Sequence, residues 1–180
     1  TVNIDNCVFD KCNTKYIIYI TNGEINNVIM RENIITGCVI SGGTSITNLL
    51  FENNSGSAYF TNIKKGVYNS TFINNKINQG NDYGLFYISS KNFVSSNNIF
   101  ENNYFGIYIQ RGFRCLIQNN KITSTRSKSQ EGTGDGIHAW VSEEIWIKNN
   151  YIEGHKDGIY LEKVIKSYIY KNYSKKNLRY

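Results

Sequence analysis

Two aspartates in the last third of the chain lie at a spacing that could support acid/base chemistry. Asp135 and Asp157 occupy equivalent positions in two copies of a repeat, and each is followed by Gly-Ile. Stacked in successive turns of a repeat, the two carboxylates would lie about 5 Å apart. Such a pair could act on a sugar or bind calcium. Alternatively, each Asp accepts backbone N–H bonds and only caps its own turn.

The chain has two histidines, His138 and His155, and both lie in the same region as the aspartates. Imidazole is a good copper ligand, although a cuprous ion would also favour Cys or Met. We therefore consider both histidines candidate metal ligands, with copper as the possible cofactor. Hydrogen bonding at a corner of the fold, or contact with a partner protein, is the alternative role.

Aromatic side chains near these residues could stack on sugar rings. The candidate binding residues are Tyr108, Trp140 and Tyr160, with Trp146 as a further ring of the strip, and Glu162 and Arg179 could add charge. Alternation along a strand predicts that Tyr108 and Tyr160 point outward. Outward aromatic rows also occur as ordinary surface of repeat proteins, so this pattern alone leaves a carbohydrate ligand open.

These residues belong to a sequence repeat whose period is roughly 22 residues, and such periods are typical of solenoids and other repeat architectures. The tripeptide Asp-Gly-Ile begins at Asp135 and again at Asp157, whereas the step from Gly106 to Gly136 is longer. Asn residues keep a similar spacing at positions Asn54, Asn75, Asn98, Asn120, Asn150 and Asn172.

Composition indicates that each repeat consists of short strands separated by tight corners. The 180 residues include 27 Asn and no Pro, and Asn favours turns and left-handed conformations over strands. Short strands are stable when copies stack into parallel sheets. The sequence therefore predicts an all-β fold, a right-handed parallel β-helix of about seven coils forming a single domain over 1–180.

The repeat also predicts which residues stack. Three inward columns are expected, and the Gly before each Ile is expected at a corner with positive φ. The predicted columns are Ile107, Ile137 and Ile159; Ile117, Ile147 and Ile169; and Ile99, Ile122 and Ile152, beside an Asn ladder of Asn98, Asn120, Asn150 and Asn172. The longer step from Asn120 to Asn150 places an inserted polar loop at 124–133, which is either a binding loop or a tolerated insertion.

Charge and cysteine content exclude few classes of protein. The net charge of +6 would suit anionic partners, but the lysines are scattered and RNA-binding aromatic motifs are missing, so nucleic-acid binding is not predicted. Cys7, Cys12, Cys38 and Cys115 lack zinc-site spacing. Cys7 and Cys12 could pair or pack as small apolar residues, which leaves the disulfide state open.

No signal peptide or apolar run of transmembrane length occurs in the sequence. The chain begins within a strand-like stretch and is expected to be a piece of a longer protein. Exposed ends of a solenoid require capping, so end-to-end self-association is a further expectation.

The segment 84–180 resembles the NosD family, most specifically over 134–180, and Phe-Gly-Ile-Tyr-Ile-Gln at 105–110 looks like the preceding coil of that family. The resemblance rests on Gly-Asp-Gly-Ile-His-Ala-Trp at 134–140, on Gly-His-Lys-Asp-Gly-Ile-Tyr-Leu-Glu at 154–162 and on Asn-Leu-Arg-Tyr at 177–180. NosD proteins are periplasmic β-helix proteins needed for copper-site maturation of nitrous-oxide reductase. Ala139 stands where that family more often has a large apolar residue, and 1–80 match only the wider β-helix superfamily.

The resemblance implies a non-enzymatic maturation factor in the periplasm that works with an ABC transporter and a copper chaperone. Two other classes remain open. A carbohydrate-binding or carbohydrate-cleaving β-helix, secreted or periplasmic, would use Asp135 and Asp157 as its acidic pair. A surface adhesin or fibre module would have no small-molecule site.

Overall fold

The chain folds into short strands that wind around a common axis. The structure, a computed structural model, describes residues 1–20, 22–42, 45–56, 59–61, 63–77, 83–88, 91–125 and 134–179. Most of the predicted inserted loop, 126–133, lies outside these ranges. The described residues form 25 strands, numbered here in chain order.

The strands form three parallel sheets, which are the three faces of a β-helix. Sheet 1 contains, in order, β1 (Val2–Asp5), β4 (Gly23–Asn26), β7 (Ser45–Thr47), β11 (Gly66–Tyr68), β15 (Val94–Ser96), β18 (Leu116–Gln118), β21 (Trp146–Lys148) and β24 (Tyr168–Tyr170). Sheet 2 contains β2 (Val8–Asp10), β5 (Ile29–Arg31), β8 (Leu50–Glu52), β12 (Thr71–Ile73), β16 (Ile99–Glu101), β19 (Lys121–Thr123), β22 (Tyr151–Glu153) and β25 (Tyr173–Lys175). Sheet 3 contains β13 (Lys76–Ile77), β9 (Ser55–Gly56), β6 (Ile34–Ser41), β10 (Tyr59–Thr61), β14 (Tyr83–Ile88), β17 (Phe105–Gln110), β20 (Ile137–Trp140) and β23 (Ile159–Glu162), with β3 (Asn13–Tyr19) paired to β6.

The eight strands of sheet 1 are connected by seven turns of the chain, as the repeat predicts. Val2 pairs with Gly23 in the next coil, and Trp146 likewise pairs with Tyr168. Every pairing between strands is parallel, so each coil stacks directly on the next. The predicted solenoid of about seven coils, with about 22 residues in each, is confirmed.

Two turns are longer than the others. Leu116 pairs with Trp146 across the long step that the Asn spacing predicts. The turn between β11 and β15 contains a second insertion, since the Ser70 backbone N–H donates to Asn98, which follows it by 28 residues. The sequence interpretation missed this insertion because it placed Asn75 and Asn98 in one series, at an ordinary step.

Inward side chains form continuous columns, and two of the three predicted columns are confirmed. Ile107, Ile137 and Ile159 are in register on sheet 3. Ile117, Ile147 and Ile169 are in register on sheet 1, although Ile169, on the last strand of that sheet, is 47% exposed. On sheet 2 the third column is wrong by one residue, because Phe100 and not Ile99 pairs with Ile122. Phe100 is 1% exposed and Ile99 is 42% exposed. A shift of one residue along a strand exchanges the two faces of a sheet.

Asn-Asn doublets form two of the three corners, and the two residues of a doublet have different roles. The first Asn adopts a left-handed backbone conformation, as at Asn53 (φ 54°) and Asn119 (φ 55°). Asn tolerates this conformation better than most residues because its short polar side chain can bond locally. The second Asn, as at Asn54 and Asn120, turns inward and is buried. The doublet thus both bends the chain and fills the corner.

The buried Asn side chains stack as hydrogen-bonded ladders along the helix axis. At the corner between sheets 1 and 2, the Asn120 amide donates to Asn150 Oδ1 at 3.0 Å, and the Asn98 backbone N–H donates to Asn120 Oδ1 at 3.1 Å. The predicted ladder of Asn98, Asn120, Asn150 and Asn172 is present.

A second ladder lies at the corner between sheets 2 and 3. It contains Asn33, Asn54, Asn75 and Asn103. Asn54 and Asn75 therefore do not belong to the series of Asn98, as the sequence interpretation had them. The two series have the same doublet and nearly the same spacing, so the sequence pattern merged them.

The glycines that precede the core isoleucines are needed for close packing and not for a left-handed turn. Neither Gly106, Gly136 nor Gly158 has a φ in the left-handed range, so that prediction is wrong. A Cβ on Gly136 would lie 2.5 Å from Ile152 Cγ2 and 2.7 Å from the carbonyl oxygen of Gly158. Because both distances are shorter than a normal contact, only glycine lets the coils stack at this position.

The four cysteines are free thiols, so of the two alternatives left open for Cys7 and Cys12 the structure has the unpaired one. Cys38 and Cys115 are buried in the core, and burial raises the pKa of these thiols to about 12 and about 11. Of the residues that the structure describes, none belongs to a helix long and apolar enough to cross a membrane.

Candidate functional site

The outer face of sheet 3 collects most of the polar and aromatic residues singled out in the sequence, whereas Trp146 lies on sheet 1 and so does not join the predicted aromatic strip. Because coils stack in register, residues one turn apart form vertical rows on this face. The first row includes Asp157 and Arg179, which are bridge partners. The second row contains Tyr108, His138 and Tyr160. The third row contains Gln110, Trp140 and Glu162.

Four of these residues form what we call the Asp–His cluster: Asp135, His138, Asp157 and Arg179. Arg179 donates from Nε to Asp157 Oδ1 at 2.9 Å and from Nη2 to Asp157 Oδ2 at 2.6 Å. His138 Nδ1 lies 2.9 Å from Asp135 Oδ2. The two atoms are close, but their alignment falls outside that of a regular hydrogen bond.

The cluster is largely shielded from solvent. Asp135, Asp157 and His138 are 6%, 5% and 9% exposed, whereas the Arg179 side chain is 59% exposed. Burial raises the pKa of Asp135, and the neighbouring Asp157 carboxylate raises it further, while His138 acts in the opposite direction. The arrangement therefore brings two carboxylates together beneath one solvent-facing guanidinium.

Aromatic rings surround the histidine of the cluster. The His138 ring centroid lies 4.5 Å from that of Tyr108, 4.8 Å from that of Tyr160 and 5.8 Å from that of Phe105. His138 Nε2 is buried among the described residues without a hydrogen-bond partner. Tyr160 is 40% exposed, while burial raises the pKa of Tyr108, as do the nearby Glu162 and Asp135 carboxylates.

His155 is not part of this outer face. It is 1% exposed and occupies the Asn position of the ladder between sheets 2 and 3, where its backbone N–H donates to Asn177 Oδ1 at 2.9 Å. Burial lowers the pKa of His155 to about 4, although hydrogen bonds to the backbones of Gly134 and Tyr104 partly oppose this shift. His155 thus supports the segment that leads into Asp135.

The ligand set offers limited support for a resident metal. Among the described residues, no group of three or more His, Cys, Asp and Glu side chains is placed to hold an ion. His138 and His155 are not brought into such a group. Met30, Cys38 and Cys115, which would suit a cuprous ion, are fully buried in the hydrophobic core.

Comparison with known families agrees with the fold described above. The family described as "right handed beta helix region" matches residues 1–129 and 103–180. The chain belongs to the right-handed β-helix family. The handedness expected from the sequence is also that of the family. No curated protein matches the chain significantly. The β-helix family defines the architecture, and the outer face of sheet 3 carries the residues that bear on function.

Sequence analysis did not predict the contacts of Tyr104 and Phe105 on this face, nor the ion pair of Arg179 with Asp157. Tyr104 and Phe105 pack against each other at 4.9 Å, and Phe105 also contacts His138. Phe105 is related to Asp135 by the same long step that relates Gly106 to Gly136. The repeat could therefore have predicted that Phe105 lies beside the Asp–His cluster. The pairing of Arg179 with Asp157 was available too, because they are 22 residues apart.

We predict that Arg179→Gln destabilises the fold and lowers the urea midpoint of unfolding. The substitution leaves the buried Asp157 carboxylate without its ion-pair partner, which lowers the free energy of unfolding. The loss is smaller than for a fully buried ion pair, because the Arg179 guanidinium faces solvent. Urea denaturation followed by circular dichroism measures the effect.

Arg31→Gln is the matched control, because Arg31 pairs with the partly exposed Asp10 at 3.2 Å. Water screens this pair more strongly, so the fall in the urea midpoint is expected to be at most about half of that in Arg179→Gln. Equal losses in the two variants would contradict a special role for the buried carboxylate.

Proposed function

We propose that this protein is a non-enzymatic scaffold of the NosD type, which acts in the periplasm and supports copper-site maturation of nitrous-oxide reductase. Its partners would be an ABC transporter and a copper chaperone. Copper would be the cargo of the pathway, delivered to the reductase, and the β-helix would hold the delivering proteins in position.

One observation carries the proposal: the residues that resemble NosD converge on one cluster. Asp135 and His138 come from the first motif, Asp157 and Tyr160 from the second and Arg179 from the third. These motifs are separated along the chain, yet the residues are neighbours in successive coils of sheet 3. If the three motifs together form one functional surface, their occurrence in the same chain is explained.

Burial supports a scaffold over a glycosidase or lyase. An acid/base pair must reach the bond that is cleaved, but Asp135 and Asp157 are each less than one-tenth exposed. Asp157 is also occupied by two hydrogen bonds from Arg179. The carboxylates are thus better placed to fix the geometry of the face than to attack a substrate.

Among the described residues, the donor atoms of the cluster do not form a site that would store the cuprous ion. Imidazole binds copper, but cuprous copper favours sulfur ligands. The cluster contains His138 and two carboxylates and no sulfur atom. We therefore assign tight copper binding to the partner proteins, and His138 remains a candidate contact.

The proposal is tested in a denitrifying bacterium that lacks its own NosD. The chain is exported to the periplasm, and the copper content of purified nitrous-oxide reductase is measured. We expect copper to be restored by the natural sequence and by Arg31→Gln, and to be reduced by Arg179→Gln. A chain that is folded and exported, but leaves the reductase without copper, would exclude the proposal.

Carbohydrate binding is the second candidate, supported by the aromatic side chains of the same face. Tyr160 is 40% exposed beside the half-buried Trp140 and Tyr108. Coils repeat about every 4.8 Å along the axis, a spacing that would present several rings to an extended sugar chain. Retention of the protein on an acidic polysaccharide, lost in Tyr160→Ala, would favour this candidate over the scaffold.

A further inference from the structure

A strained residue marks a second surface, at the corner between sheets 3 and 1. Arg111, Val141 and Lys163 occupy equivalent positions in three successive coils, and all have left-handed φ values of 55°, 49° and 53°. Valine is rarely found in this conformation because its branched Cβ crowds the backbone. Asn occupies the left-handed position at most other corners of this chain. Such an outlier is a reason to look for a function.

Val141 is also one of several apolar groups that face solvent at this corner. Val141 is 40% exposed and Ile165 is 56% exposed. Together with Phe113, they line a groove of about 410 Å³. Val141 thus combines an unfavourable backbone conformation with an apolar side chain on the surface, and packing within the β-helix accounts for neither.

The charges around the groove are unbalanced. Arg111 and Lys163 lie on either side of Val141, two coils apart, which corresponds to about 10 Å. Both are exposed, and the described residues include no ion-pair partner for either. The acidic Glu143 in the groove is already paired with Lys166 at 2.7 Å. The groove thus presents two available cations around an apolar centre.

We propose that this groove, which we call the Val141 groove, is a docking surface for an extended acidic and apolar segment of a partner protein. The segment would run along the helix axis, with one apolar side chain over Val141 and Ile165. Acidic side chains on both sides of it would pair with Arg111 and Lys163. In an extended strand, side chains two residues apart point to the same face and lie about 6.7 Å apart. The central apolar side chain can therefore contact Val141 while the acidic side chains on the same face reach Arg111 and Lys163.

This surface is separate from the Asp–His cluster, and its role does not depend on copper maturation. Charge complementarity determines the choice of occupant, and the apolar centre distinguishes a peptide from a simple polyanion. A sugar chain with carboxylates would use the two cations but would gain nothing from Val141 in a left-handed conformation.

The test uses a blocked, fluorescent pentapeptide of sequence Asp-Ser-Leu-Ser-Asp, whose Leu and two Asp side chains point to the same face of an extended strand, measured by anisotropy against the full chain. We expect it to bind at least ten-fold more tightly than the same peptide with Ser in place of Leu, or with Lys in place of Asp. Arg111→Glu and Lys163→Glu are each expected to weaken binding by ten-fold or more. Lys121→Glu, on the outer face of sheet 2, is the control and should leave the affinity unchanged.

Val141→Asn is the decisive variant, because it removes both the strain and the apolar contact. We expect its Tm to rise while its affinity for the Asp/Leu peptide falls at least ten-fold. A rise in Tm with unchanged affinity would overturn the proposal, since the valine would then be only a tolerated defect. Equal affinity for the Asp/Ser peptide or for oligogalacturonate would overturn it as well, as would an absence of binding.

Discussion

Asn120→Ala is expected to lower the free energy of unfolding by about 3–5 kcal/mol, because alanine would leave several buried groups without partners and each costs about 1–3 kcal/mol. The side chain of Asn120 accepts a hydrogen bond from the Asn98 backbone and donates to the Ser95 carbonyl at 3.1 Å and to Asn150 Oδ1 at 3.0 Å. Urea denaturation curves of the natural sequence and the variant measure the difference.

The neighbouring Asn119 provides a matched control of the same residue type. Asn119 is exposed and has a φ of 55°, so Asn119→Ala is expected to cost only about 1 kcal/mol, because Ala disfavours a left-handed backbone. Asn119→Gly should be nearly neutral. If Asn119→Ala and Asn120→Ala were equally destabilising, the division of roles within the doublet would be wrong.

Acid is expected to destabilise the fold through His155, by up to about 3 kcal/mol as the pH falls from 6.5 to 4. The pKa of His155 falls from its ordinary value of 6.5 to about 4 because the ring is buried. Between these two values the unfolded chain binds a proton at this site and the folded chain does not. Stability is therefore fully present above pH 6.5 and is lost as the pH falls towards 4.

His155→Asn should remove this dependence and still fold. Asn is the usual residue at this ladder position, as at Asn103 and Asn177, and its backbone N–H would still donate to Asn177. Asp135 has a raised pKa and changes stability with the opposite sign, but it contributes to both proteins, so the difference between them isolates His155. The free energy of unfolding is measured in urea from pH 4 to pH 7.5. Parallel pH profiles for the two proteins would disprove the assignment.

The repeat made the architecture predictable, because every coil meets the same physical demands. Isoleucine columns on sheets 1 and 3 followed from the period of the repeat, since inward positions recur once per turn. The period failed where two corners share one sequence signature. Asn75 and Asn98 both end an Asn-Asn doublet, but they lie in different ladders, and only the hydrogen bonds of Asn75 with Asn103 distinguish them.

The candidate site was harder to predict than the fold, because its contacts depend on which face a residue occupies. Asp135, His138 and Asp157 were identified from their types and spacing, but burial of all three could not be derived from sequence periodicity. His155 has the residue type of a metal ligand, yet it occupies a ladder position where an amide usually stands. Backbone conformation was also hidden, so the strain at Val141 had no sequence signal beyond its alignment with Lys163.

The Asn ladders have a consequence for the chemical ageing of this protein. Asparagine deamidates when the backbone nitrogen of the next residue attacks the side-chain amide and forms a succinimide. In five doublets of the described residues that nitrogen belongs to the buried Asn and donates to the ladder, as Asn54 does to Asn75 Oδ1 at 3.0 Å and Asn120 does to Asn150 Oδ1 at 3.0 Å. A folded coil therefore protects Asn53 and Asn119 from their neighbours, and the positions of aspartate that accumulate in an aged sample would record which coils have opened.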